Sequence, residues 1–202
     1  MTWVKVCGLT READVAAAVE AGADALGFVL AERSQRCVST ERAAALMNGV
    51  PTLRIVLTVD ASPEDAAEAV MTTSADGLQP YGRHAARVAA WGQANGMLVL
   101  HPIRRDAAGS WGVGAVPDGQ IVLLDSATST ELGGTGVPLD WDDIERPQRR
   151  FVLAGGLNAS NVAAAVAMLH PWGVDASSGL ESAPGVKDAA RVAAFVEEAK
   201  RQ

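Results

Sequence analysis

Short apolar runs recur along the chain, and between most of them the hydrophobic spacing changes from two to three and four, the mark of strands alternating with helices. The runs predict strands over 3–7, 24–30 (DALGFVL), 53–59 (LRIVLTV), 76–79, 97–101, 120–125, 150–154 and 173–176. The intervening stretches carry helix punctuation. Thr10 is placed to cap the first helix, with Gly22 at its end and Val15, Ala18 and Val19 on its apolar stripe. Thr40 reads as the cap of the second, where Ala43, Leu46, Met47 and Val50 share a face. Ser62-Pro63-Glu64-Asp65 is a strong start: a capping hydroxyl, a proline at the first helical position and acids in the first turn. Asn158 opens a helix with Val162, Ala165, Val166 and Leu169 on one side, and a last helix from about Lys187 lines up Val192, Phe195, Val196 and Ala199.

Alternation of this kind implies parallel strands joined by right-handed crossovers. Eight units close naturally into a (β/α)₈ TIM barrel, an α/β fold usually about 250 residues long; at 202 residues this is a compact version. The competing open, doubly wound sheet lacks support, because no GxGxxG follows the first strand. Residues 103–119 hold four glycines and a proline, so the fifth helix is short or missing. No linker divides the chain, which reads as one domain over 1–202.

Composition narrows the function. With 49% hydrophobic and 20% charged residues the chain belongs with soluble globular proteins. A net charge of −7 argues against a nucleic-acid or anionic-membrane surface, so an anionic ligand must be held by local devices. No apolar run has the length of a membrane span and the amino end lacks a signal-peptide layout, which points to the cytoplasm. Two cysteines, Cys7 and Cys37, are too few for a disulfide framework, and a bridge between them is unexpected in a reducing compartment. His84, His101 and His170 show no ligand spacing, so no metal is expected. The expected partner is a small molecule, with the chain a monomer.

In a barrel of this type the active site lies at the carboxyl ends of the strands. That rule collects Cys7 after the first strand; Ser34 and Arg36 after the second; Gln79, Pro80, Tyr81 and Gly82 after the fourth; Asp125 after the sixth; Gly155 and Gly156 after the seventh; and Asp175, Ser177, Ser178 and Gly179 after the eighth. Strand alternation puts Trp3, Lys5 and Cys7 on one side and Val4 and Val6 on the other, so Cys7 faces the mouth. A thiol there can act as base or nucleophile; a small buried hydrophobe is the plain alternative. The glycine-rich turns at Gly155-Gly156 and Ser178-Gly179 suit a phosphate, because they let backbone N–H groups approach an anion. Asp125 ends an apolar run with Ile121 and Leu123 on its own face. Desolvation there favours the protonated carboxyl of a general acid, against the alternative of a turn-forming aspartate. Gly133-Gly134-Thr135-Gly136 reads as a lid or a flexible connection. Arg36 can grip a carboxylate through its fork or sit solvated on the surface. Lys5, one layer deeper than Cys7, reads as an interior lysine paired with a carboxylate, and Cys37 as core.

VKVCGLT at 4–10, ADALGFVL and SQRCVS within 23–39, LLDS at 123–126, GGTG and LDW within 133–141, LAGGLNASNV at 153–162, and GVDASSGLE and GVKD within 173–188 together resemble the phosphoribosylanthranilate isomerase family of tryptophan biosynthesis. The resemblance runs over nearly the whole length. It implies an Amadori rearrangement of N-(5-phosphoribosyl)anthranilate to 1-(2-carboxyphenylamino)-1-deoxyribulose 5-phosphate, by acid and base catalysis and without a cofactor. By that similarity Asp125 matches the general acid and Cys7 the general base. Arg36 matches the grip on the anthranilate carboxylate, Gly155, Gly156, Ser178 and Gly179 the phosphate cradle, and Asp175 an acidic position near the site. The family's usual QLHG after strand four is here Gln79-Pro80-Tyr81-Gly82, so a pocket histidine is replaced by tyrosine.

Three other readings stand beside this one. The related histidine-pathway isomerase uses aspartates in both halves, whereas this chain has Cys7 and no second glycine-rich cradle at Asp60-Ala61-Ser62. Indole-glycerol-phosphate synthase chemistry needs a lysine at the mouth, and the chain holds only Lys5, Lys187 and Lys200. A non-catalytic barrel that binds a phosphorylated metabolite fits the fold equally well, though it leaves an acid and base pair without a use.

Overall fold

In the computed structural model, which describes residues 1–105, 110–125, 141, 144 and 146–201, eight parallel strands close into a barrel in the order β1 to β8, with β1 paired to β8. The strands are β1 (Trp3–Cys7), β2 (Ala25–Val29), β3 (Leu53–Val59), β4 (Gly77–Tyr81), β5 (Leu98–Ile103), β6 (Ile121–Leu124), β7 (Phe151–Leu153) and β8 (Gly173–Ala176). Helices α1 (Glu12–Glu20), α2 (Thr40–Met47), α3 (Pro63–Thr73), α4 (Ala85–Ala94), α5 (Val162–Leu169) and α6 (Ala189–Lys200) accompany them. Between β5 and β6 the described residues hold a single 3₁₀ turn, Val113–Ala115, as the glycines there predict. A small antiparallel hairpin, β9 (Glu181–Ala183) and β10 (Val186–Lys187), follows β8.

Two apolar layers explain the closure. Val4, Val6, Leu26, Phe28, Val56 and Leu78 point outward against the helices. Ala25, Ile55, Leu100, Ile121, Leu123 and Val152 fill the barrel interior. Trp3 and Trp172 stack with ring centroids 4.9 Å apart beneath them. The predicted stripes of α5 and α6 are the buried ones, and Ser62 with Asp65 forms a reciprocal capping box on α3.

Several local readings are corrected. Thr10 does not cap α1, because its hydroxyl donates instead to the Gly185 carbonyl at 2.6 Å and the helix begins after Arg11. Ser39, not Thr40, caps α2, accepting from the Arg42 amide at 3.1 Å. Asn158 sits in a turn where its side chain accepts from Ser160, and α5 starts after Asn161. The last helix starts after Asp188, whose carboxylate accepts from the amides of Ala190 and Arg191. Cys37 is half-buried beside β2 rather than core, and both cysteines are free. Gln79, Pro80 and Tyr81 lie within β4 rather than after it. Proline is tolerated there because β5 pairs with β4 only as far as Leu78, so Pro80 costs no rung on that side. Asp175 likewise lies inside β8. The segment around Gly133–Gly136 falls outside the described residues.

Candidate active site

Alternation along β1 brings Lys5 and Cys7 into the barrel, with Cys7 buried at the strand's carboxyl end and in register with Gly27. Lys5 is fully buried one layer below and its ammonium bonds Asp175 Oδ2 at 2.9 Å, the interior pair expected of it. Asp125 follows β6 directly, above Ile121 and Leu123, and is buried. It accepts a hydrogen bond from the Tyr81 hydroxyl at 2.8 Å, and Tyr81 accepts one from Gln79 Nε2 at 2.9 Å.

These groups share one cavity at the carboxyl end of the barrel. Cys7, Ser34, Arg36, Gln79, Tyr81, Asp125, Gly155, Gly156, Asp175, Ser178 and Gly179 all line it, so the strand-end rule gathered residues that the fold does bring together. Counting the open solvent at its mouth, the space there measures about 780 Å³.

One side of the cavity is lined by the glycine loops after β7 and β8. Gly155 and Gly156 both take positive φ, 92° and 66°, a conformation that turns successive amides toward one point. Neither of those amides donates to a protein acceptor among the described residues. The loops after β7 and β8 touch at Gly179, where a Cβ would stand 2.2 Å from the Leu157 carbonyl oxygen; a side chain at 179 would force them apart.

The cation in the loop after β2 is already engaged. Arg36 gives its Nε and Nη2 to the two oxygens of Glu181, at 2.7 and 2.8 Å, in a bidentate pair. Buried Lys187 bonds the same carboxylate at 2.8 Å and the Ser177 carbonyl at 3.1 Å, tying the loop after β8 to the hairpin. Glu181 and Lys187 escaped the sequence reading because two- and three-residue strands leave too short a pattern to register. Arg104, at the end of β5, was also missed; its guanidinium carbon lies 5.3 Å from the Tyr81 ring centroid and it lines the cavity.

Burial sets the protonation states. It pushes the Cys7 thiol above its ordinary value, against the pull of Lys5 and Lys187. Burial also raises the Asp175 carboxyl, opposed by Lys5. For Lys5, burial works against the charge, but Asp175 and Cys7 outweigh it and hold the ammonium protonated. Burial penalises the Glu181 carboxylate as well, yet Arg36 and Lys187 hold it below the usual range. Tyr81 is raised well above a free phenol, first by burial and then by Asp125, so it stays a donor. Gln79 Oε1, Asp175 Oδ1 and Arg104 Nε are buried without a hydrogen-bond partner among the described residues, and all three residues line the cavity. Among the described residues no cluster of His, Cys, Asp or Glu is arranged to hold a metal.

The family model described as N-(5'phosphoribosyl)anthranilate (PRA) isomerase matches residues 4–198. The chain belongs to this family. It is 41% identical to N-(5'-phosphoribosyl)anthranilate isomerase of Halorhodospira halophila over 202 residues, covering 99% of this chain and 97% of that relative. The phosphoribosyl anthranilate isomerase structure from Thermotoga maritima superposes with a TM-score of 0.85 at 30% identity, with both chains fully covered. A structure of a phosphoribosyl anthranilate isomerase in complex with reduced 1-(o-carboxyphenylamino)-1-deoxyribulose 5-phosphate superposes with a TM-score of 0.83 at 29% identity, with both chains fully covered. Membership places the chain among the aldose–ketose isomerases of tryptophan biosynthesis.

Proposed function

We propose that the chain converts N-(5-phosphoribosyl)anthranilate to 1-(2-carboxyphenylamino)-1-deoxyribulose 5-phosphate, with Cys7 as base and Asp125 as acid. One observation carries the assignment: a buried thiol and a buried carboxyl, from opposite parts of the sequence, line a single cavity beside two glycine amides that have no acceptor among the described residues. Asp125 gives its proton to the furanose ring oxygen, the bond from C1 to that oxygen breaks, and the nitrogen lone pair makes the C1–N iminium. The iminium acidifies the neighbouring C–H, and the Cys7 thiolate takes the C2 proton; the C–H electrons form the C1–C2 double bond of an enolamine. Gain of a proton at C1 and loss of the C2 hydroxyl proton complete the ketone.

The remaining contacts follow from charge and reach. The substrate's phosphate sits on the amides of Gly155, Gly156, Ser178 and Gly179. Its anthranilate carboxylate meets Arg36, which Glu181 holds by one edge of the guanidinium. Gln79 Oε1 and Asp175 Oδ1 are acceptors for the sugar hydroxyls. Every group invoked lies on one barrel, which supports residues 1–202 working as one domain; two free cysteines suit the cytoplasm. Among the described residues no helix is long and apolar enough to cross a membrane.

The test is consumption of the fluorescent substrate by the purified protein beside Cys7→Ser and Asp125→Asn. Each substitution lowers turnover by about 10²-fold or more, the weight of a positioned acid or base. Unchanged turnover in both overturns the role assignment, and binding of a reduced product analogue without any turnover favours the non-catalytic reading.

A further inference from the structure

Gln79 and Tyr81 stand two residues apart on β4, so both side chains enter the barrel. They end in a hydrogen-bond chain with one direction. The phenol has a single proton and gives it to Asp125 Oδ2 at 2.8 Å; its oxygen then accepts from Gln79 Nε2 at 2.9 Å. The face of the ring is covered by Arg104, 5.3 Å from the centroid. Burial and the neighbouring carboxylate both keep the phenol protonated, so the donor persists across the working pH range.

We propose that Tyr81, backed by Gln79, is a positioning residue that holds Asp125 and stabilises the carboxylate it becomes on giving up its proton. The inference rests on Asp125 being the acid. A hydrogen bond to a carboxylate is about twice as strong as one to a neutral carboxyl. The Tyr81 bond therefore tightens as the proton moves to the ring oxygen, and only an interaction that strengthens along the reaction accelerates it. Gln79 makes the phenol a better donor, since an oxygen that accepts one hydrogen bond donates the next more strongly. The contact joins a β4 side chain to the residue after β6, a pairing that the strand order alone does not require.

Tyr81→Phe removes the hydroxyl and keeps the ring, its packing and the Arg104 contact. The expected result is a fall in kcat of about 10- to 100-fold, the size of one hydrogen bond to a charged group, with KM changed by less than about 3-fold. Tyr81→His, which restores an N–H donor on a ring, recovers most of that loss. In an Asp125→Asn background Tyr81→Phe adds no further loss, because its effect passes through the carboxyl. Wild-type kcat in Tyr81→Phe, or an undiminished second loss in the double variant, overturns the inference while leaving Asp125 as the acid. Full turnover in Asp125→Asn overturns the acid assignment and this inference together, so the two failures are told apart.

Discussion

Cys7 and Gly27 face each other in register across β1 and β2, and the cysteine sulfur fills the space a side chain at 27 would need. A Cβ on Gly27 would stand 2.7 Å from Cys7 Sγ, inside the closest approach that real Cβ atoms make, and 3.0 Å from Lys5 Cε, a tight contact. Gly27→Ala therefore displaces the sulfur or the lysine stem beneath it. A shift of about 1 Å at a reacting atom can cost about 10²-fold in rate. The expected outcome is a loss in kcat of at least about tenfold with the far-ultraviolet circular dichroism unchanged; wild-type kcat would refute it.

The buried thiol makes a prediction about pH. Burial raises Cys7 despite the nearby lysines, so the thiolate is scarce at neutral pH and grows as the pH rises through an alkaline range above that of a free cysteine. Alkylation by iodoacetamide, followed at Cys7 by peptide mass spectrometry to separate it from half-buried Cys37, should be slow at pH 7 and increase with that midpoint. Rapid, pH-independent modification of Cys7 between pH 6 and about 8 would contradict the assigned environment.

Glu181 holds the fork of Arg36 and neutralises Lys187. Glu181→Gln should raise KM for the carboxylated substrate more than it lowers kcat, because it loosens a binding group and leaves the acid and base in place. Leaving buried Lys187 without a carboxylate should also destabilise the fold by about 3 kcal/mol. Steady-state kinetics and thermal melts read the two effects.

The same carboxylate gives a stability trend with acid. Its folded-state value lies below the ordinary one, so the unfolded chain binds the proton first. The stabilisation is present above about pH 4.3, the free glutamate value, and is lost as the pH falls through the lower folded-state value. Denaturant titrations at a series of pH values should show a steeper loss with acid in the wild type than in Glu181→Gln, where other paired carboxylates such as Asp76 still contribute.

Gly179→Ala should weaken phosphate binding selectively. The added methyl meets the Leu157 carbonyl and separates the two loops proposed to hold the phosphate. Inhibition by inorganic phosphate is the probe: its inhibition constant should rise about tenfold or more, whereas an unchanged constant would remove Gly179 from the cradle.

Much of the site was legible because each signal was local. A strand ending in a reactive side chain fixes which residues share a face, and Gly155-Gly156 marks where the backbone takes positive φ beside the cavity. The helix cap at Thr10 was misplaced because a hydroxyl chooses among acceptors and donors that sequence neighbours do not reveal, whereas at α2 the cap lay one residue earlier, at Ser39. Thr10 found Gly185, 175 positions away. Tyr81 was legible as a departure, and its role was not, since nothing along β4 says that its hydroxyl reaches Asp125.

The sequence by itself determined the alternation of strands and helices, the side of each strand that turns inward, and the residue types at the strand ends, because periodicity and capping act within a few residues. Tertiary structure alone decided the pairings: Lys5 with Asp175, Arg36 and Lys187 with Glu181, and Tyr81 with Asp125. Barrel closure brings Lys5 and Asp175, 170 positions apart, to hydrogen-bond distance, the hairpin after β8 sets Lys187 on Glu181, and buried charges settle only on partners that compensate their desolvation.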